Sequence, residues 1–182
     1  MKGLYAAGDE YFGGISFAAT FGWVGGENAA AYIKQKPSPK IDKARAEIEK
    51  RKDLLNAMRN RAVGATWREV NIALEQIMQD YAGAVRSESL LTAGLGHLRR
   101  LREKTYNTIT AKNQHELMRC LEVINLLDIG ELVFLASIER RETRGSFRRH
   151  DYPFTNPVMN NKQIICKKIS GRPVVKWRET KR

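Results

Sequence analysis

"TWREVNIALEQIMQDYAGAV", Thr66 to Val85, decides the fold class. Trp67, Val70, Ile72, Leu74, Ile77, Met78 and Tyr81 supply an apolar face between polar residues at steps of helical size. That spacing predicts an amphipathic helix rather than a strand. Thr66 is the candidate N-cap, and Glu69 three residues on completes a capping box. In that device a hydroxyl and a carboxylate each satisfy one free backbone amide.

The same pattern extends both ways. A following helix begins at Ser87 or Ser89 and carries Leu90, Leu91, Leu95, Leu98 and Leu101. The next runs from Asn113 to about Arg141 with Leu117, Leu121, Ile124, Leu127, Leu132, Leu135 and Ile138. Upstream, a charged amphipathic helix spans about Ile41 to Asn60. One-sided apolar stripes joined by short connections imply helices packed side by side in a bundle. The period stops at Glu142, and Gly145, Pro153 and Pro157 mark a loop. "KQIICKKISGRPVVKWRE", Lys162 to Glu179, reads as two strands turning on Ser170-Gly171.

The beginning of the chain is different. "GLYAAGDEYFGGISFAATFGWVGGENAAAYIKQ", Gly3 to Gln35, opens with a strand-like run to Gly8 and a small-residue loop from Asp9 to Gly14. Ser16 is a plausible N-cap for a helix reaching about Lys34. The helix is apolar on most sides, as expected of a segment buried against several neighbours. "KQKPSPK", Lys34 to Lys40, reads as a linker. Three regions result: 1–35, a helical bundle over 36–141, and a basic loop with hairpin over 142–182.

The 182 residues carry 32 Lys and Arg against 20 Asp and Glu, a net charge of +12. From Arg140 to Arg182 there are thirteen Lys and Arg and three Asp and Glu, so most of the excess sits in the last quarter. Such a region suits nucleic acid, an acidic partner or an anionic ligand, or simply a solvated surface. Cys120 and Cys166 form no CxxC, and His97, His115 and His150 are scattered, so no metal-ligand spacing is present. No signal-peptide layout and no apolar run long enough to span a bilayer is found, giving the expectation of a cytoplasmic chain.

Three stretches, in order, resemble the flavoprotein family of fumarate reductase and succinate dehydrogenase, to which adenylylsulfate reductase alpha subunits and aspartate oxidases are related. "GLYAAGDEYFGG…FGWVGGENAA" resembles that family's closing FAD-binding strand, turn and helix. "TWREVNIALEQIMQDYAGAVRSESLL" resembles its C-terminal helical domain, and "ERRETRGSFRRHDYP" its "RxESRGxHxRxDYP" motif. The implied fold is mainly α: a C-terminal bundle with a terminal β-hairpin, preceded by the last strand-turn-helix of an FAD-binding α/β domain. The implied activity is that of an FAD-dependent oxidoreductase relaying electrons to an iron–sulfur partner subunit.

The resemblance also implies roles. Asp9 stands where the family has Glu and would hydrogen-bond FAD ribityl or ribose hydroxyls. Ser16, Phe17, Ala18 and Ala19 begin the helix whose amides would face the flavin ring. Arg141, Glu142, Arg144, Arg148 and Asp151 form a charged motif joining the helical domain to the flavin domain, with no catalytic residue among them. Thr143 replaces the family's Ser, and Phe147-Arg148 interrupts its Ala-His. No arginine lies between Met1 and Lys34, where relatives grip a substrate carboxylate, so no substrate is assigned. The chain has no GxGxxG to hold a pyrophosphate. The expectation is therefore weak or no FAD binding and no catalysis alone, with an N-terminal flavin-domain chain or region required. The competing expectation is a stand-alone helical module whose basic tail binds an acidic protein or nucleic acid. The buried-type helix at Gly14 to Lys34 disfavours it, nucleic acid least of all being expected.

Overall fold

The computed structural model describes residues 3–8, 14–35 and 42–180. It divides into two compact units, Met1–Glu49 and Lys50–Arg182.

In the first unit α1 spans Ile15–Lys34. It starts after Gly14, whose φ of 110° only glycine adopts readily. Ser16 therefore lies inside the first turn and is not the N-cap. Gly3–Gly8 forms no strand. A strand needs a neighbour to take its amides and carbonyls. This segment is tied instead to α1, with the Tyr5 hydroxyl donating to the Asn28 carbonyl at 3.2 Å. No residue of α1 is buried, and Trp23 is 72% exposed. Among the described residues its apolar sides stay uncovered.

The division between the units falls within α2 (Asp42–Asn60). In the second unit α3 (Trp67–Ala82), α4 (Glu88–Thr108) and α5 (Gln114–Glu139) pack mutually. The α3 capping box forms as read: Thr66 N donates to Glu69 at 2.7 Å, and Glu69 N to the Thr66 hydroxyl at 3.3 Å. Ser87 caps α4 by accepting from Leu90 N at 3.3 Å, and Asn113 caps α5 by accepting from Glu116 N at 2.9 Å, without the reciprocal bond of the box. Val70 and Leu74 of α3, Leu91 and Leu98 of α4, and Leu127 and Phe134 of α5 are core residues. Ile72 does not join them and is 65% exposed. Two residues from Val70 and from Leu74, it points to the opposite side of a helix that turns about 100° per residue. Leu90 is exposed as well, being one residue off the Leu91–Leu95–Leu98 stripe.

The loops at one end are pinned together. Ala65 N donates to Thr108 O, and Thr110 N to Ala65 O, each at 3.0 Å. Arg61 adds a fork, Nη1 to Ile109 O at 2.6 Å and Nη2 to Tyr106 O at 2.9 Å. At the other end β1 (Val85–Arg86) pairs in parallel with β2 (Arg148–Arg149), joining the α3–α4 connection to the loop after α5. The antiparallel hairpin β3 (Lys162–Ile169) and β4 (Arg172–Glu179) turns on Ser170 and Gly171, at φ 49° and 79°. Two left-handed residues make the turn that matches the twist of a two-residue hairpin. Trp177 anchors β4 on α5, its indole N–H donating to Glu139 at 2.9 Å.

Candidate functional site

The loop after α5 gathers charge around two buried groups. The Glu142 side chain has no solvent exposure. Its Oε1 accepts from Arg140 Nη1 at 2.6 Å and from Arg144 Nε at 3.0 Å. Its Oε2 accepts from Arg144 Nη2 at 2.9 Å and from the Asn156 amide at 3.0 Å. Burial pushes this carboxyl up, but the Arg144 and Asn156 hydrogen bonds and the two cations outweigh it and leave the pKa lowered. A buried charge survives only when paired and fully hydrogen-bonded, and here every lone pair is used.

Arg149 is the second buried charge, also with no side-chain exposure. Nε and Nη2 donate to the two carboxylate oxygens of Asp151, both at 2.7 Å. Such a bidentate fork is among the stronger side-chain pairings. Nη1 donates to the carbonyl of Ser137 at 2.7 Å and to that of Arg140 at 3.3 Å, at the C-terminal end of α5. Asp151 in turn accepts from the Glu88 amide at 2.8 Å, at the start of α4. The cation thus meets the negative end of one helix and the carboxylate the positive end of another, both favourable by the helix dipole. The Arg149 hydrogen bonds hold the Asp151 carboxyl far below the usual carboxylate range and raise the Arg149 pKa in return.

The charged motif is therefore a joint between α4, α5 and the following loop. Glu142, Arg144 and Asp151 sit inside it. Arg141 is at the rim, 3.7 Å from Glu88 and exposed, and Arg148 is exposed. Arg149 and Arg140 were not singled out. The signal for Arg149 is its parity: along extended backbone Arg149 and Asp151 share a side, and Arg148 and His150 take the other. Both carboxylates are ionised and saturated with donors at neutral pH, so this arrangement locks position and holds no proton to move.

The second candidate region is the start of α1. The amides of Ile15, Ser16 and Phe17 precede the first intrahelical bond, Ala18 N to Gly14 O at 3.0 Å. No side chain caps them among the described residues, and no acidic residue lies in the first turn. Residues 14–20 are exposed, including Ser16, Phe17, Ala18 and Ala19. Phe17 and Phe21 stack one turn apart, at 6.0 Å between centroids. Asp9 lies outside the described residues.

Of the two cysteines, Cys120 is buried in the bundle with its thiol donating to Thr110 O at 3.5 Å. Burial pushes this thiol up to about 11, with Glu116 adding to the shift. Cys166 is partly exposed on the hairpin. No helix among the described residues is long and apolar enough to cross a membrane.

Comparison with known proteins agrees with the fold and with the resemblance. The chain is 24% identical over 178 residues to an uncharacterised FAD-dependent oxidoreductase of Methanocaldococcus jannaschii, covering 90% of this chain and 31% of the relative. It is 22% identical over 181 residues to the fumarate reductase flavoprotein subunit of Haemophilus influenzae, covering 91% and 30%. Among solved structures, adenylylsulfate reductase from Archaeoglobus fulgidus superposes with a TM-score of 0.79 at 23% identity, over 91% of this chain and 29% of that one. The apo Sdh1 complex of Mycobacterium smegmatis gives 0.77 at 25% identity, over 97% and 33%. The chain spans about three tenths of the length of the curated relatives it matches. Residues 71–181, which run from within α3 through α4, α5, the charged joint and the hairpin, match the family described as fumarate reductase flavoprotein C-term, and the chain belongs to that family.

Proposed function

We propose that this chain is the C-terminal portion of an FAD-dependent oxidoreductase of the fumarate reductase/succinate dehydrogenase type, and that alone it neither holds FAD tightly nor turns over. The observation that carries this reading is α1: an apolar helix with no buried residue and a first turn free of acidic side chains. Exposed apolar faces of this size are ordinarily partner surfaces. The missing cover is a flavin domain bearing the GxGxxG turn, on a companion chain or an N-terminal region, and an iron–sulfur protein takes the electrons onward.

The residues at the start of α1 suit the group. Amides at the positive end of a 20-residue helix stabilise negative charge, such as the N1–C2=O edge of a reduced flavin. Ile15, Ser16 and Phe17 supply those donors, and Asp9 would accept from ribityl or ribose hydroxyls. FAD, when bound, supplies hydride transfer at its N5. The Glu142 and Arg149 joint holds the helical domain in one shape against that flavin domain and takes no part in proton transfer.

The test is reconstitution. The 182-residue chain is titrated with FAD while flavin fluorescence is followed, then mixed with a flavin-domain polypeptide and passed through gel filtration. The expected result is no saturable quenching by the chain alone and a yellow complex with the partner. Flavin retained by the chain alone through gel filtration would sink the proposal, as would failure to associate with any flavin-domain polypeptide of the family.

A further inference from the structure

Beside the charged joint lies a cleft of about 540 Å³ whose wall includes Arg86, Arg140 and Arg144. The volume is within the range of small-molecule sites. Val133 and Ala136 of α5, Phe147 of the loop, and Gln163 and Ile164 of β3 complete much of it. No carboxylate is among these lining residues; Arg140 and Arg144 are already paired with Glu142 of the joint, whose lone pairs they share with the Asn156 amide.

Arg86 is the odd member. Its Nε donates to Ala82 O at 3.0 Å, and its guanidinium lies over the Phe147 ring at 5.0 Å. Among the described residues neither terminal nitrogen meets an acceptor, and no carboxylate pairs with it. It is half-buried, and burial lowers its pKa with nothing acting in the other direction. A partly desolvated cation without a counter-charge is less favourable than a paired one, and its terminal nitrogens remain accessible to an anion delivered to the cleft. Its orientation is fixed by the Ala82 bond and the Phe147 face, so the fork is pre-organised for a planar or tetrahedral oxyanion.

We propose that the Arg86–Arg140–Arg144 cleft binds a small oxyanion, carboxylate or phosphate, gripped chiefly by the terminal nitrogens of Arg86. The site is separate from the start of α1 and does not depend on FAD. Two of its three arginines, Arg140 and Arg144, belong to the positive C-terminal quarter, and the third, Arg86, comes from the α3–α4 connection.

The experiment uses the full chain without flavin. Thermal unfolding is followed against inorganic phosphate and, separately, malonate, with chloride at matched ionic strength as reference. A ligand that binds only the folded state raises the melting temperature in a saturable way. Saturable stabilisation by phosphate or malonate is expected, and whichever binds tighter identifies the oxyanion. Arg86→Gln keeps a donor for Ala82 O and should weaken binding at least about tenfold, as for loss of a charged hydrogen bond. Ala136→Glu places a carboxylate on the cleft wall from α5 and should abolish the response while leaving Arg86 in place. The proposal is overturned if neither anion exceeds chloride, or if both variants respond as the wild type does.

Discussion

Glu142 and Arg149 are the residues on which the joint depends, since each is a buried charge whose partners are all inside the chain. Removing one side of such a pair leaves the other desolvated and uncompensated. Glu142→Ala is therefore expected to cost about 3–5 kcal/mol of unfolding free energy. Arg148→Ala, one residue from Arg149 and exposed, should change stability by less than about 0.5 kcal/mol. Urea unfolding of the three proteins checks both. The same charges set the response to acid. Glu142 and Asp151 both have folded pKa values below their unfolded ones, so their contribution is complete above the unfolded values near about 4. It is lost as pH falls through the depressed folded values. Stability should thus decline from about pH 5 downward. Asp151→Asn should flatten that decline, and urea midpoints between neutral and acid pH read it directly. Cys120 gives a third check. A buried thiol raised to about 11 holds almost no thiolate at neutral pH. In the native chain a thiol reagent should modify Cys166 alone, and Cys120 only after denaturant is added; equal rates for both would contradict the burial of α5's inner face.

Two glycines of α4 have opposite environments, and only Gly94 lies where the helices approach closely. A Cβ on Gly94 of α4 would collide with Tyr81 and with the Phe134 ring. Gly94→Ala should cost about 1–3 kcal/mol by overpacking. Gly96, two residues on, faces only the end of Arg100 at 3.6 Å, and Gly96→Ala should stabilise α4 by about 0.5–1 kcal/mol. Thermal melts of the pair separate packing from propensity, because both exchange the same residue in the same helix. What was legible in the sequence follows from how local each signal is. The start of α3 could be read because Thr66 and Glu69 satisfy amides within three residues. The hairpin turn could be read because Ser170-Gly171 must adopt left-handed backbone there. Ile72 could not be placed by hydrophobicity alone, since its side of α3 depends on which neighbours pack. Arg149 was missed for Arg148 because one residue of register in extended backbone reverses which side chain is buried. Gly3–Gly8 has the composition of a buried strand, yet a strand exists only where another strand meets it.

For the molecule as a whole, the decisive contrast is between a second unit with its own core and a first unit in which no described residue is buried. The bundle buries Met58, Leu91, Leu98 and Phe134 completely. By contrast Ile15 is 91% exposed and Trp23 72% exposed on α1, with Ile33 exposed at its far end. Apolar area left in water favours association, at roughly 25 cal/mol for each Å² covered. The intact chain is therefore expected to self-associate or adhere to surfaces as its concentration rises. Deleting residues 1–36 removes that helix while leaving α2 and every residue of the bundle core in place. The shortened chain should run as a monomer in light scattering where the full chain does not, with an unfolding transition of the same midpoint and cooperativity. A lower midpoint would mean that α1 helps hold the bundle. Unchanged self-association would place the sticky surface on the bundle, at residues such as Ile72, Leu126 and Ile129. Adding the flavin-domain partner to the full chain should suppress association as the deletion does, because the same apolar helix is then covered from outside rather than removed.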